Sequence, residues 1–359
     1  VCPFVPVANM DMDECVELAR QVGKRIGDEL EIPVYLYEAA ASKPEWQNLA
    51  NIREGEYEAL STKLGTEKWA PDFGPNRFVA KSGATQVGAR DFLIAYNINL
   101  NTRDTKIAKD IALDIREKGR FLRDEAGKRV RGPDRKFLRK DGLFQHCKAA
   151  GWFIEEYGVA QVTMNLTNYQ VTPVHEVFDA VCRLATEKGV RVTGSELVGL
   201  LPLTAMVNAG KHYLKKQGAS CGVSTASMID IAVKSLGLEE VTKFDAEKKI
   251  IEYVVAESTP LMDMTATDFV DLLSSDAPAP GGGSVAALCG SMSAGLSAMV
   301  GALTYSKKGM EDTKPSMSLL GEEAQALKAW FALAVDRDTD AFNKVMDAMR
   351  LPKKTDEEK

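Results

Sequence analysis

The chain of 359 residues is 45% hydrophobic and 27% charged, an ordinary globular composition with room for two or three domains. Its net charge of −6 gives no global attraction to nucleic acid or to an anionic membrane. Six cysteines (Cys2, Cys15, Cys147, Cys182, Cys221, Cys289) form no CxxC pair. That spacing argues against a disulfide framework or a zinc site and fits reduced thiols in a cytoplasmic protein.

The opening "VCPFVPVANMDMDECVELARQVG" has no starting Met, shows no signal-peptide pattern and reads as a strand entering a helix. The closing "AMRLPKKTDEEK" stops just beyond a helix. Both ends are those expected of an internal piece of a longer polypeptide. In "MDECVELARQVGKRIGDEL", Cys15, Leu18, Ala19, Val22, Ile26 and Leu30 recur at helical spacing. A strand "PVYLYEA" follows, then strands "FLIAYNINL" and "VAQVTMNLTNY", a helix "PVHEVFDAVCRLATEKG", a strand "RVTGSELVGLLP" and another helix. This order predicts an α+β fold in which helices cover one face of a sheet.

Two strands have polar faces. Gln161, Thr163, Asn165 and Thr167 alternate with Ala160, Val162, Met164 and Leu166, and Asn97 and Asn99 lie opposite Ile98 and Leu100. Uncharged amides and hydroxyls suit a ring rich in donors and acceptors; a solvated sheet face has the same pattern. The run "REKGRFLRDEAGKRVRGPDRKFLRK" (116–140) carries eleven Lys and Arg against four Asp and Glu. It reads as a mobile, solvated loop or as a dock for a polyanion. Nucleic acid would call for interleaved aromatics, and only Phe121 and Phe137 are present.

Beyond a linker at 256–262 the strand signals cease and an all-α domain is expected. "GGGSVAAL" has no P-loop lysine and no preceding strand, and no βαβ unit encloses it. Gly281–Ser306 is uncharged and long enough to span a membrane, yet it is rich in Gly and Ser. Its small residues recur four apart (Ala287, Ser291, Gly295; Gly290, Ala294, Ala298), the pattern of a buried helix in a tight bundle. The amides at its glycine-rich start would offer an anion or carbonyl site. In the next helix, Leu327, Phe331, Ala334, Val335, Phe342, Val345 and Met349 form an apolar stripe. Asp338 falls within it, with Asp336 and Asp340 on the opposite side. A buried aspartate holds its proton more tightly, as a general acid/base requires; a structural aspartate bonded to a neighbouring helix is the plainer alternative.

These stretches resemble the formimidoyltransferase-cyclodeaminase family, the bifunctional folate enzymes of histidine breakdown. The resemblance rests on "VCPFVPV", "VYLYEAA", "IREGEYEAL", "WAPDFGP", "GWFIEEYGVAQVTMNL", "GSELVGLLPL", "IIEYVV", "APGGGSVAA", "VDRDTDAF" and "AMRLPK", in order along nearly the whole chain. It implies two layered α/β-sandwich, ferredoxin-like subdomains (1–89 and 90–255) and a truncated helical-bundle cyclodeaminase domain (263–359). It also implies transfer of a formimidoyl group from N-formimidoylglutamate to tetrahydrofolate, polyglutamylated, and then closure to 5,10-methenyltetrahydrofolate with loss of ammonia. No metal, nucleic acid or membrane span is implied; the expected assembly is a homo-oligomer.

On this resemblance the folate-binding segment falls on Gly74, Pro75, Asn76, Arg77, Phe78, Val79, Ala80, Lys81, Ser82 and Gly83. The cyclodeaminase catalytic aspartate falls on Asp338, and the second folate site opens at Gly281, Gly282, Gly283 and Ser284. The basic run departs from the family pattern as an insertion, and a polyglutamate tail could dock on it. The family's transferase histidine lies upstream of Val1, and His146, His175 and His212 do not replace it, so the piece alone is expected to be impaired. Asn97, Asn99, Gln161 and Asn165 are candidates to line the transferase groove. Two other readings are a stand-alone transferase with a helical assembly module and, more distantly, a nucleic-acid binder.

Overall fold

The computed structural model describes residues 1–7, 10–256 and 259–351. Residues 257 and 258 of the expected linker and 352–359 of the expected last domain therefore lie outside the described residues. The first unit is a three-stranded parallel sheet in the order β1 (Cys2–Phe4), β3 (Thr85–Ala89), β2 (Val34–Glu38). Helix α1 (Met12–Leu30) opens with a capping box. The Asp11 carboxylate accepts the Glu14 N–H at 2.9 Å and the Glu14 carboxylate accepts the Asp11 N–H at 2.9 Å. Its buried residues are Cys15, Ala19, Gly23 and Gly27, set against Val34, Leu36 and Val87. The other sheet face buries Tyr35, Tyr37, Trp46, Ile52 and Leu64, partly under the short helices α2 (Leu49–Ile52) and α3 (Leu60–Lys63).

The second unit has the complete βαββαβ order expected of a ferredoxin-like layer. It runs β4 (Ile94–Leu100), α4 (Thr105–Ile115), β7 (Cys147–Ile154), β8 (Val159–Leu166), α5 (Val174–Glu187), β9 (Val192–Val198). Its strands lie antiparallel in the order β7-β8-β4-β9. Alternate residues Tyr96, Ile98, Leu100, Ala160, Val162, Met164 and Leu166 form one continuous core with α4 and α5. Helices α6 (Leu203–Lys216) and α7 (Thr225–Leu236) extend that core through Met206, Tyr213 and Leu236. The Tyr96 hydroxyl donates to Ser195 Oγ at 2.8 Å, and Ser195 Oγ donates to the Leu236 carbonyl at 2.6 Å. Two short helices, α8 (Ala246–Lys249) and α9 (Ile251–Val254), end the unit. Sequence reading had not picked out α4 or β7.

The basic run forms a β-ribbon, where an irregular solvated loop was one expectation. Strand β5 (Arg120–Phe121) pairs with β6 (Arg139–Lys140), with further bridges between Arg123 and Arg129 and between Arg131 and Phe137. Phe121 and Phe137 meet edge to face at 5.7 Å. Arg129 lies 4.5 Å and Arg139 3.8 Å from the Phe121 ring, and Arg131 lies 4.2 Å from Phe137. Guanidinium groups stacked on aromatic faces give the ribbon its internal glue. Arg120 ties it to α4 through Asp110 and Asp114.

The last unit comprises α10 (Ala266–Leu273), α11 (Gly282–Tyr305) and α12 (Lys314–Arg350). Helices α11 and α12 run antiparallel along a seam of small residues: Ser284, Ala287, Ser291, Ala294, Ala298 and Gly301 against Gly321, Ala324 and Val335. Small side chains let the two axes approach closely. The expectation of a buried α11 holds for its small-residue face alone, because Met292, Leu296, Met299, Val300 and Leu303 are exposed. By length and composition α11 could cross a membrane, with a mean hydropathy of 1.5. The hairpin docks on the second unit where Gly222 meets Gly321; a Cβ on Gly222 would sit 2.7 Å from the Gly321 Cα.

Candidate functional site

The polar faces read from β4 and β8 come together on the side of the second sheet opposite its helices. Register aligns Trp152, Gln161 and Asn99 across three strands. A relay of hydrogen bonds joins them: Trp152 Nε1 donates to Gln161 Oε1, Gln161 Nε2 to Asn99 Oδ1, and Asn99 Nδ2 to Glu240 Oε2, each at 2.8 Å. This qualifies the candidate groove. Asn99 and Gln161 are buried and occupied with each other, while Asn165 is exposed. Asn97 sits opposite Glu196 of β9, its Nδ2 at 3.5 Å from Glu196 Oε2, and the Tyr157 hydroxyl lies 3.4 Å from Glu196 Oε1. A cleft of about 520 Å³ opens here between Asn99, Tyr157, Val159, Glu240 and Thr242.

Glu38 ends β2 with a left-handed backbone, φ 54°, a conformation that strains a residue with a Cβ. Burial raises the pKa of its carboxyl, with Asp91 adding to the rise and Lys148, Arg90 and His146 opposing it. Sequence reading missed Glu38, Glu196 and Glu240. Glu196 was within reach: it is the acid of "GSELVGLLPL" and has the parity of the polar face.

The predicted folate segment forms the loop entering β3. Gly74 has φ 78°, and a Cβ there would lie 2.3 Å from the Ile32 carbonyl, so glycine is demanded by packing. Pro75 is half-buried. Asn76 Oδ1 accepts the Gly65 N–H at 2.8 Å, and Arg77 pairs with Glu31 at 3.5 Å. Phe78 packs edge to face on Tyr57, whose hydroxyl donates to the Ala80 carbonyl. The Val79 carbonyl accepts the Ser82 and Gly83 N–H groups. Exposed Arg77, Lys81 and Ser82 leave charged and hydroxyl groups available to a ligand.

In the helical unit the structure brings the two other predicted pieces into contact. Gly281 is the N-cap of α11, Gly282 and Gly283 open its first turn, and no side chain caps them. A Cβ on Gly283 would lie 2.2 to 2.6 Å from the Asp338 carboxylate, so this glycine makes room for the acid. Ser284, fully buried, places its Oγ 2.9 Å from the Val335 carbonyl, 3.1 Å from Asp338 Oδ2 and 3.1 Å from Thr339 Oγ1. Asp338 thus faces the free first-turn N–H groups and positive end of α11.

The expected dry seam is corrected, however. Asp338 is exposed, as are Leu327, Phe342, Val345 and Met349 of its stripe. Asp336, expected on the opposite side, is the buried one and accepts the Leu261 and Met262 N–H groups at 2.8 and 3.3 Å. The seam follows the small residues, so the large apolar side chains flank it and Asp338 sits at its edge.

Of the histidines, His146 is exposed, and His175 is buried against His212, which contacts Asp179 at 2.9 Å. Among the described residues no group of three or more His, Cys, Asp or Glu could hold a metal ion.

Three family models cover the chain: the formiminotransferase domain, N-terminal subdomain, over 1–90, the formiminotransferase domain over 95–256 and formiminotransferase-cyclodeaminase over 265–359. The formimidoyltransferase-cyclodeaminase of Dictyostelium discoideum is 44% identical over 98% of this chain and 63% of its own length. That of Sus scrofa is 42% identical over 100% of this chain and 64% of its own. A glutamate formimidoyltransferase of Thermoplasma acidophilum is 43% identical over 61% of this chain and 65% of its own. The chain therefore spans under two thirds of the length of these relatives. With three models in succession along it and identity sustained from end to end, the chain belongs to the formimidoyltransferase-cyclodeaminase family.

Proposed function

We propose that the chain is part of a bifunctional folate enzyme. Its first two units would serve the transfer of a formimidoyl group from N-formimidoyl-L-glutamate to tetrahydrofolate, releasing glutamate. Its helical unit would serve closure of 5-formimidoyltetrahydrofolate to 5,10-methenyltetrahydrofolate. The observation that carries this reading is the Asp338 carboxylate set against the uncapped, glycine-lined start of α11.

In the closure, the N10 nitrogen forms a bond to the formimidoyl carbon. The bond from that carbon to its terminal nitrogen then breaks, and the departing nitrogen takes a proton and leaves as ammonia. Asp338 would accept the N10 proton and deliver it to the leaving nitrogen. Ser284 and Thr339 would hold the carboxylate in place, and the first-turn amides of α11 would orient the carbonyl groups of the ligand. In the transfer, the folate would lie between the loop Gly74–Gly83 and the polar face of the second sheet. A polyglutamate tail, a cytoplasmic setting and a homo-oligomer belong to the same proposal. The cations of the ribbon and the exposed apolar side chains of α11 and α12 support the first and the last of these.

Asp338→Asn in the full-length enzyme is expected to lower methenyl formation by about two to four orders of magnitude while leaving formimidoyl transfer intact, each followed by absorbance. Closure at the wild-type rate would remove Asp338 from the chemistry. It would leave the helical unit as an assembly module, the reading that its exposed apolar face otherwise favours.

A further inference from the structure

We propose that Glu196 is the group that receives the positive charge of the formimidoyl donor, so that the transferase selects a cationic amidine over a neutral formyl compound. The inference rests on the transferase reading above and assigns a role that the geometry of the second sheet suggests. An N-substituted formamidine is a strong base and is protonated at neutral pH. Its two nitrogens share the charge and present N–H donors in one plane, a fork that a carboxylate can meet with both oxygens.

Glu196 is a half-buried carboxylate on β9, an edge strand of the sheet, beside the uncharged Asn97 of β4. Among the described residues its hydrogen bonds are long ones, from Asn97 Nδ2 at 3.5 Å and the Tyr157 hydroxyl at 3.4 Å. Several other partly buried carboxylates of the molecule are better supplied, although Glu38 is not. Asp110 has Arg120 and Lys188, Asp179 has Lys216 and His212, and Glu322 has Lys211. Asp72 and Glu252 accept backbone N–H bonds of 2.7 Å from Leu36 and Leu203. Among the described residues Glu196 has neither kind of partner. A carboxylate withdrawn from water without a cation or a short donor is unfavourable unless a ligand completes it.

Its surroundings add to the attraction. The donor relay from Trp152 ends on Glu240 and leaves Glu196 out. Glu240 lies against Gly194, two residues before Glu196, where a Cβ would come within 2.6 Å of its carboxylate. Glu156, Glu240 and Tyr157 line the adjoining cleft, and the Tyr157 hydroxyl reaches from it to Glu196. Lys148 belongs to the far strand of the sheet, roughly 14 Å away at three strand spacings, and Lys249 is engaged by the Leu197 carbonyl at 3.1 Å. Glu156 and Glu240 thus add two carboxylates to the cleft beside Glu196.

N-formyl-L-glutamate tests this, because it places a neutral carbonyl oxygen where the donor has a charged nitrogen. Binding of both compounds to the full-length enzyme is measured by calorimetry, for the wild type and for Glu196→Gln. The wild type is expected to prefer the formimidoyl compound by about 10- to 100-fold, the range of one charge-assisted hydrogen bond. The variant is expected to bind both alike, with thermal stability unchanged. A variant that keeps the wild-type preference overturns the proposal. So does a wild type that binds both compounds equally, a result that needs no variant. A wild type that binds neither sinks the transferase reading itself and this inference with it.

Discussion

His175 is buried with its ring 4.5 Å from that of His212, and its Nδ1 has no hydrogen-bond partner among the described residues. Burial first, and then the neighbouring His212, push its pKa from 6.5 to about 4. Between those values the unfolded chain binds a proton that the folded one refuses. The stabilisation is therefore complete above pH 6.5 and is lost as pH falls toward 4, reaching roughly 3 kcal/mol at most. His175→Phe keeps a ring in the site and removes the titration. Thermal unfolding from pH 7 to 5 should lower the wild-type Tm by several degrees more than that of the variant; parallel curves would refute the assignment. Single residues also mark how far the sequence could be read. Asp338, which the structure sets against the glycine turn, was legible as an acid within an apolar stripe. Its exposure was not, since a helix pattern names a face without naming what covers it. Asp336 was missed for the same reason: its partners, the amides of Leu261 and Met262, lie outside any helix.

At the scale of elements, the ribbon from Arg120 to Lys140 owes its order to contacts that a charge count conceals. Two cation–π contacts converge on Phe121, each worth about 0.5 to 1 kcal/mol at an exposed site. Losing both in Phe121→Ala should raise the local open population about 5- to 30-fold. Trypsin, which has many Lys and Arg targets in the ribbon, reports that population directly when reclosing is fast. Faster cleavage between 120 and 140 in the variant is expected, while a wild-type ribbon cut as quickly as the variant would mean a mobile loop after all. Strands β4 and β8 of the second sheet were legible because their period-2 patterns are long and one face is polar, whereas β7 was not. The α11–α12 seam was half legible. The four-residue recurrence of Gly, Ala and Ser marked the contact on α11, whereas on α12 the large aliphatic stripe drew attention away from Gly321 and Ala324. In α1, likewise, Gly23 and Gly27 are buried and Leu30 is exposed. Where helices pack closely, small residues mark the interface better than large ones.

At the scale of the molecule, the helical hairpin is held to the second unit by a short list of contacts around one glycine pair. Lys211 pairs with Glu322 at 2.9 Å, Cys221 donates its N–H to Ser318 Oγ, and the Tyr305 hydroxyl donates to the Gly218 carbonyl. The ion pair is about one third exposed and contributes no more than about 1 kcal/mol. The closest approach is between backbones, where a Cβ on Gly321 would stand 2.8 Å from the Gly222 Cα. Neither backbone can yield as a flexible side chain would, so overpacking here should cost about 1 to 3 kcal/mol. Gly321→Ala is therefore expected to loosen the docking more than Lys211→Ala does. Hydrogen exchange gives the measurement: the amides of 218–222 and 318–322 should exchange roughly 5- to 100-fold faster in Gly321→Ala. Those of β4 and β8, buried in a separate core, should keep their protection. If both variants leave the junction unchanged, the glycine pair does not set how closely the units approach. If β4 and β8 loosen as well, the two units unfold as one cooperative body. Either result would also bear on activity, because Gly321 lies on the same helix as Asp338, and a shift of α12 at one end would move the carboxylate relative to Gly283 at the other.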